Sequence, residues 1–382
     1  MDNSFTTAYS NIGTFSRSGG RQITRRLFLC AMAGLMAGCS TGSPKASSNS
    51  GFSSPLASPS ARPDLTHTVA ISRTNVSQIT KMAVLNSNEG RVRGLAWLPD
   101  SQVLAVGTGG EVQLWDVFSL TRKATLTEIK DQAYMVACSP DGKMLAAAVG
   151  NDTLYVWDVA SQKVLHTFQG SGTSIYSVAW SPNGARLAAG NHDGTVQVWS
   201  SSTWGKPLEW GKPGPKDSPV RGRNPLAAWT VAWSPDGEHL AAVRYDSELR
   251  IWDASSGKLL HTLETSSYPN GVSWSPNGEI LASSSDDGTI QLWNPTNYKN
   301  TQTLEAEIGA GWAFAIPWSP DGSLLACSRD GHIVQVWDVQ KHQQLKVLDG
   351  HTDSIWTTVW SPDSRFIASG SDDGTVCLWG VS

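Results

Sequence analysis

Residues 175–199 read Ile-Tyr-Ser-Val-Ala-Trp-Ser-Pro-Asn-Gly-Ala-Arg-Leu-Ala-Ala-Gly-Asn-His-Asp-Gly-Thr-Val-Gln-Val-Trp, and this stretch decides the fold. Ile175 to Trp180 is apolar and β-branched, Pro182-Asn183-Gly184 turns the chain, and Ala185 to Ala189 is a second strand. Asp193-Gly194 turns it again, and Thr195 to Trp199 alternates as a third strand. A fourth, more polar strand follows before the pattern restarts. The two Trp that end the first and third strands are each one member of a long column.

One column is Trp115, Trp157, Trp199, Trp252, Trp293, Trp337 and Trp379, at spacings of 42, 42, 53, 41, 44 and 42. The other is Trp97, Cys138, Trp180, Trp233, Trp274, Trp318 and Trp360. Leu-Pro-Asp follows Trp97, Ser-Pro-Asp-Gly or Ser-Pro-Asn-Gly follows in five repeats, and Ser-Pro-Asp-Ser occupies 361–364. Thirteen of the 18 Trp sit in these two columns, so most of the 382-residue chain is one unit written seven times. Four antiparallel strands per 40–45 residues make one propeller blade. Trp115-Asp116, Trp157-Asp158, Trp252-Asp253 and Trp337-Asp338, with Asp-Gly-Thr before Trp199, Trp293 and Trp379, resemble the WD-repeat (WD40) family over residues 76–382. The dipeptide lapses at Ser200, Asn294 and Gly380, and Gly350-His351 alone keeps the family's Gly-His.

The expected fold is all-β, a seven-bladed WD40 β-propeller. The last unit stops at Ser382, just after its third strand, while Gln78 to Leu85 is a strand without a unit of its own. That N-terminal strand is expected to close the last blade and so remove both free edges. The first two blades carry Gly109 and Asn151 in place of the turn Asp and are expected to be the least regular.

Composition narrows the function. Charged residues are 16%, the formal net charge is -4, and five Cys are scattered. A chain that coats nucleic acid needs a basic face, so nucleic-acid binding is not expected. Five scattered Cys are no disulfide framework, and Cys138, Cys327 and Cys377 read as buried small apolar residues. There is no His-Glu-x-x-His, Gly-x-Ser-x-Gly, Walker loop or Cys pair at zinc spacing. The pairs Asp286-Asp287 and Asp372-Asp373 are turn residues without a ligand-bearing calcium loop. His166 and His261 share an outer-strand column on separate blades. Neither a metal, a cofactor nor a catalytic residue is expected.

The N-terminus reads as an address. Arg25-Arg26 with Phe28-Leu29 precedes an apolar run of about a dozen residues, shorter than the roughly 20 a spanning helix needs. The pair resembles a twin-arginine export signal, and Met36-Ala37-Gly38-Cys39 resembles a bacterial lipobox in which Cys39 takes lipid. Residues 1–39 are therefore expected to be the signal. Residues 40–63 hold 19 Ser, Thr, Pro, Gly or Ala out of 24, and 40–75 is expected to be a disordered tether. Residues 1–38 hold four Arg and one Asp, so without them 25 basic residues face 32 acidic ones. Lipid on Cys39, not basic attraction, would hold such an acidic head at the membrane.

His351, Asp373, Ser369 or Ser371, and Trp379 match the family's structural tetrad, a buried hydrogen-bonded chain. A Ser-His-Asp set also suits a hydrolase, but all four positions are tetrad columns. Asp193, Asp246 and Asp287 share the turn column without a His and are expected to cap their own turns. Four residues before the first-strand Trp stand Arg93, Tyr134, Tyr176, Trp229, Asn270, Phe314 and Trp356. In WD-repeat propellers this column rings the upper mouth of the channel. Seven residues before the third-strand Trp come His192, Tyr245, Asp286, Asp330 and Asp372. Rings around a concavity bury large area at small entropic cost, as binding hot spots do; the alternative is that they pack against one another. The 53-residue spacing marks an insertion within 201–224, where Trp204, Trp210, Arg221 and Arg223 are expected to face the same mouth.

The expected function is a non-enzymatic, lipid-tethered, extracytoplasmic scaffold that binds a protein or peptide through its upper face. Two rivals stand beside it. One is a propeller enzyme with a central active site, a hydrolase or quinone-dependent oxidoreductase, and the other is an unprocessed cytoplasmic scaffold.

Overall fold

The computed structural model describes residues 63–172, 174–211, 228–244, 246–305, 315–329 and 331–382, without the side chains of 228 and 229. These residues form seven antiparallel sheets arranged as blades, with no α-helix among them. Blade 1 runs Gly94–Trp97, Val103–Gly107, Val112–Asp116 and Thr121–Leu126 from inner to outer strand. Blades 2 to 5 repeat this order from inner strands Ala133–Cys138, Ile175–Trp180, Ala228–Trp233 and Pro269–Trp274. Blade 7 holds Ile355–Trp360, Phe366–Ser371 and Thr375–Gly380, and its outer strand is Thr80–Asn86 from the start of the chain. The register runs from Thr80 opposite Gly380 to Asn86 opposite Thr375, so the ring closes as expected.

Blades 1 and 2 do not stand out as expected; among the described residues it is blade 6 that shows fewer than four strands. Its described strands are Leu324–Arg329, Ile333–Asp338 and Gln343–Asp349, and the inner position contributes only an isolated bridge from Trp318 to Leu325. Pro317 is a local cause. Its carbonyl accepts from Ala326 N–H at 3.0 Å, but its ring nitrogen cannot return a bond to the ladder. Blades 1 and 2 lack the turn Asp yet keep four strands each, because ladder pairing rather than the cap sets their regularity.

Folding energy is distributed between blades. Seven apolar clusters lie one at each blade–blade interface, including the closing interface between blades 7 and 1. The third-strand Trp of each blade reaches back toward the preceding one, and Trp157, Trp199 and Trp252 are almost fully buried. Burying a large apolar side chain contributes roughly 1.5–3 kcal/mol, so one Trp per interface is a major share.

The inner-strand Trp column adds a directional bond. Trp180 Nε1 donates to the Ala137 carbonyl at 3.2 Å, Trp233 to Ala179 at 3.1 Å, and Trp274 to Ala232 at 3.2 Å. Trp318 donates to Ser273 at 3.4 Å and Trp360 to Pro317 at 3.2 Å. Each acceptor lies one residue before the matching position of the preceding blade, so the column is a chain of struts between neighbours. Blade 2 has Cys138 there and lacks the strut. Trp97 of blade 1 is buried with its Nε1 unpartnered and stacks on Phe366 at 6.1 Å instead.

The expected tether to residue 75 is corrected for residues 63–75, which pack on the propeller. Leu65 and Ile71 are buried, Val69 bridges Val381, and Ile71 N–H donates to the Ser364 carbonyl at 2.8 Å. Arg365 donates to the carbonyls of Leu65, Thr66 and Thr68 at 2.9–3.0 Å. Arg73 reaches blade 6, with Nε 3.4 Å from Asp338 Oδ2. Apolar anchors spaced through a polar segment, together with a guanidinium that satisfies its carbonyls, offset the ordering entropy that composition alone emphasised. This strap crosses blades 1, 7 and 6 at the end of the ring that carries the first-to-second-strand turns. Arg25, Arg26, Cys39 and residues 40–62 lie outside the described residues.

Candidate functional site

In a four-stranded antiparallel blade, the second-to-third-strand turns and the loops between blades share one end, here the upper face. There the expected column forms an arc over blades 7, 1, 2 and 3. The Arg93 guanidinium lies 4.5 Å from the Trp356 ring centre and 5.8 Å from that of Tyr134. Tyr134 meets Tyr176 edge-on at 5.1 Å, and Tyr176 meets His192 at 5.7 Å. Asp372 holds Arg93 in place, with Oδ1 3.2 Å from Nε and Oδ2 3.3 Å from the second terminal nitrogen. Cation–π contacts of this kind are worth about 0.5–2 kcal/mol, more where water is excluded.

The two columns named from sequence therefore meet. His192 joins Tyr176, Asn270 donates to Asp286 Oδ1 at 2.7 Å, and Asp372 crosses to Arg93. Tyr176 is buried by its neighbours, while Arg93, Tyr134, His192 and Trp356 are half-buried. Burial pushes the Tyr134 phenol up and His192 down, so both favour their neutral forms. Arg91, which sequence reading passed over, is half-exposed beside Asp372 at 3.7 Å. The side chain of Trp229 and all of Tyr245, Phe314, Asp330, Arg221 and Arg223 lie outside the described residues.

Trp204 and Trp210 do not join the arc. Trp204 follows the third strand in the turn at the opposite end, at φ 49°, where it packs against His166 at 4.7 Å and Phe168 at 5.6 Å. The same left-handed position, five after the third-strand Trp, is taken by Leu120, Gln162, Tyr298 and His342. That fixed offset was the available signal that Trp204 belongs to a turn and not to the insertion. Trp210 ends an outer strand, is buried, and meets Trp233 in the core between blades 3 and 4. Large aromatic surface was better satisfied in a core than at a rim.

The tetrad forms, and Ser369 is its serine. His351 Nδ1 lies 2.9 Å from Asp373 Oδ2, Nε2 lies 2.8 Å from Ser369 Oγ, and Trp379 Nε1 donates to that Oγ at 2.8 Å. The carboxylate sets the proton on Nδ1, so Nε2 accepts the Ser369 hydroxyl. Ser371 instead donates to the Asp353 carbonyl. Burial lowers the His351 pKa against the pull of Asp373. Burial alone would raise Asp373, but hydrogen bonds led by Thr375 and Thr352 bring it down to about 2. Ser369 is wholly buried and already an acceptor from Trp379, so no substrate reaches this Ser-His-Asp set.

Asp193 and Asp287 cap their turns through Thr195 and Thr289 as expected. Asp246 does not. Its Oδ2 lies 3.3 Å from Arg244 Nε and 3.7 Å from Arg250, because Glu248 stands where the capping Thr would be and two Arg flank it. Cys327 and Cys377 are buried and Cys138 half-buried, with burial holding their thiols at about 11, 11 and 12. His166 and His261 sit on outer strands of blades 2 and 4. Among the described residues, no three His, Cys, Asp or Glu gather as metal ligands, and no helix is long and apolar enough to cross a membrane. A shallow hollow of about 310 Å³, lined by Asp100, Phe118 and Arg365 among others, lies at the end opposite the arc.

Seven blades, six of them four-stranded among the described residues and the last closed by the first strand, with rings and an arginine around one mouth, define a seven-bladed β-propeller. It is built of WD40 repeats. The family model described as WD domain, G-beta repeat, matches residues 79–116, 123–158 and 162–200. The model described as WDR19 first beta-propeller matches residues 229–382. No curated protein matches the chain. WD40 propellers are generally non-enzymatic scaffolds that bind proteins.

Proposed function

We propose that this propeller is a non-enzymatic scaffold that takes a protein or peptide on its upper face. The observation that carries the reading is the arc from Trp356 through Arg93 and Tyr134 to Tyr176 and His192. Half-buried rings held by their neighbours lose little rotamer freedom when a partner covers them. Fold alone does not assign the role, and the arc is what makes it specific.

The same reading places the protein outside the cytoplasm, exported through Arg25-Arg26 and tethered by lipid on Cys39. What supports it is the sequence, an Arg pair and a short apolar run ahead of Met36-Ala37-Gly38-Cys39.

Co-purification from detergent-solubilised membranes tests the binding, with wild type beside a Tyr134→Ala, Trp356→Ala variant of unchanged melting curve. Partners lost only from the variant are expected; identical partner lists overturn the arc as the binding surface. The mass of the mature protein tests the address. Lipidated Cys39 at the N-terminus is expected, and an unprocessed Met1 without lipid overturns export and leaves a cytoplasmic scaffold.

A further inference from the structure

Arg244 and Arg329 stand eight residues before the third-strand Trp of blades 4 and 6, at the upper end of the second strand. Both are almost fully buried. In blade 4 the guanidinium is met by Asp246, two residues later, at 3.3 Å. In blade 6 that position is Gly331, and among the described residues the buried Arg329 guanidinium meets no carboxylate: its nitrogens find no oxygen or nitrogen partner, and the neutral Cys327 thiol is what lies beside it.

The same face of blade 6 holds more unmet polar groups. Strand alternation puts Arg329 on the side of Cys327, and Gln335 pairs across the ladder with Cys327. Gln335 is fully buried with both amide atoms unpartnered, and the Trp337 Nε1 donor beside it is unpartnered too. In other blades the Gln of this column is satisfied: Gln113 accepts from Trp115 and Gln291 accepts from the Ser266 N–H. Burial holds the Cys327 thiol up at about 11, so it supplies no negative charge. A buried cation without a counter-charge is costly, and this face is rich in donors. Gly331 is exposed, and a Cβ built on it would meet none of the described residues within 4 Å, at the position where blade 4 keeps its carboxylate.

We propose that Arg329 is the receptor for one carboxylate of the bound peptide, an acidic side chain or a C-terminus, entering over Gly331 to the place Asp246 fills in blade 4. This rests on the upper-face reading and names one chemical requirement of the partner. A single carboxylate fits better than an acidic tract, because the surrounding turns already carry Asp286, Asp287, Asp372 and Asp373. Guanidinium–carboxylate pairing away from water is strong and geometrically selective.

The test is a thermal melt of the full chain in sodium acetate against sodium chloride at matched ionic strength. Wild type is expected to show a saturable rise in Tm with acetate. Arg329→Met is expected to lose that response and to melt about 2–4 °C higher in chloride, since it removes an unpaired buried charge. Arg244→Met is expected to melt lower, because it strands Asp246. Equal acetate responses in wild type and Arg329→Met overturn the proposal, as does an Arg329→Met protein that melts below wild type. An acetate response absent from wild type and gained in Asp330→Asn shows that the chain fills its own site, and also overturns it. Should Arg329→Met not fold, line broadening of ¹³C-acetate by wild type reads the contact directly; saturable broadening supports the site and linear broadening overturns it. The arc variant is expected to keep the acetate response, so lost partners with a retained response, or the reverse, show which of the two readings has failed.

Discussion

Five of the seven interfaces share one device, an inner-strand indole bonded to the carbonyl of the preceding blade, and the two that flank blade 1 lack it. Between blades 1 and 2 the donor is replaced by Cys138. Between blades 7 and 1 the donor Trp97 is present but its Nε1 is unpartnered. That seam is held by unlike contacts: Arg93 with Asp372 above, Trp97 on Phe366 within, and Ser101 Oγ accepting from Asp363 N–H at 3.1 Å below. Repeats can share a local device, whereas the place where a ring closes must be fastened by what the chain ends supply. Here that is residues 63–86, which provide the strap and the outer strand of blade 7.

Breaking the seam has the largest expected effect. Deleting residues 63–86 removes five almost fully buried side chains, Leu65, Ile71, Val76, Ile79 and Leu85. At roughly 1.5–3 kcal/mol each, their loss approaches the whole stability of an ordinary domain, about 5–15 kcal/mol. No cooperative melt by circular dichroism is the expected result. A cooperative melt within a few degrees of wild type would place closure in the blades themselves.

Acid is expected to act next, and to act on blade 7 first. The His351 pKa is lowered, mainly by burial, so the unfolded chain binds that proton more readily. Stability from His351 is therefore present above its unfolded pKa near 6.5 and lost as pH falls through the lower folded value. Asp373, held at about 2, contributes above about 4 and is lost between there and 2. Hydrogen exchange at pH 5 against pH 7 should open peptides around 351–379 before those of blades 4 and 5. Uniform opening across the blades would remove the tetrad from the comparison.

Much of this was legible because repetition multiplies weak signals. Seven copies of a strand–turn pattern fix the strand count, the ring and the closing strand, where one copy would not have told a sandwich from a propeller. The arc was legible for the same reason, as a column at one offset from Trp. What escaped was set by contacts between distant residues. The Ser/Pro-rich composition around residue 60 hid Leu65 and Ile71, whose partners lie about 300 residues away in blade 7. Trp204 and Trp210 read as contact groups because the chain there lengthens, and nothing local says that their rings have cores to enter. The tetrad left Ser369 and Ser371 open, since both end one strand and only the direction of each hydroxyl separates them.

The smallest effect is the sharpest test of the strut comparison, because one substitution is made at two members of the same column. Trp233→Phe removes a buried donor that Ala179 accepts, together with part of a ring. Trp97→Phe removes a similar ring but a donor that has no partner. The lost apolar area is alike, so the difference between the two isolates the bond. A hydrogen bond contributes about 0.5–1.5 kcal/mol net, while deleting an unsatisfied buried donor is neutral or favourable. Urea melts should therefore place Trp233→Phe below Trp97→Phe by about 1 kcal/mol at equal m-value. Equal losses would mean that the indoles act through area alone, and that the seam differs from the other interfaces in geometry but not in energy.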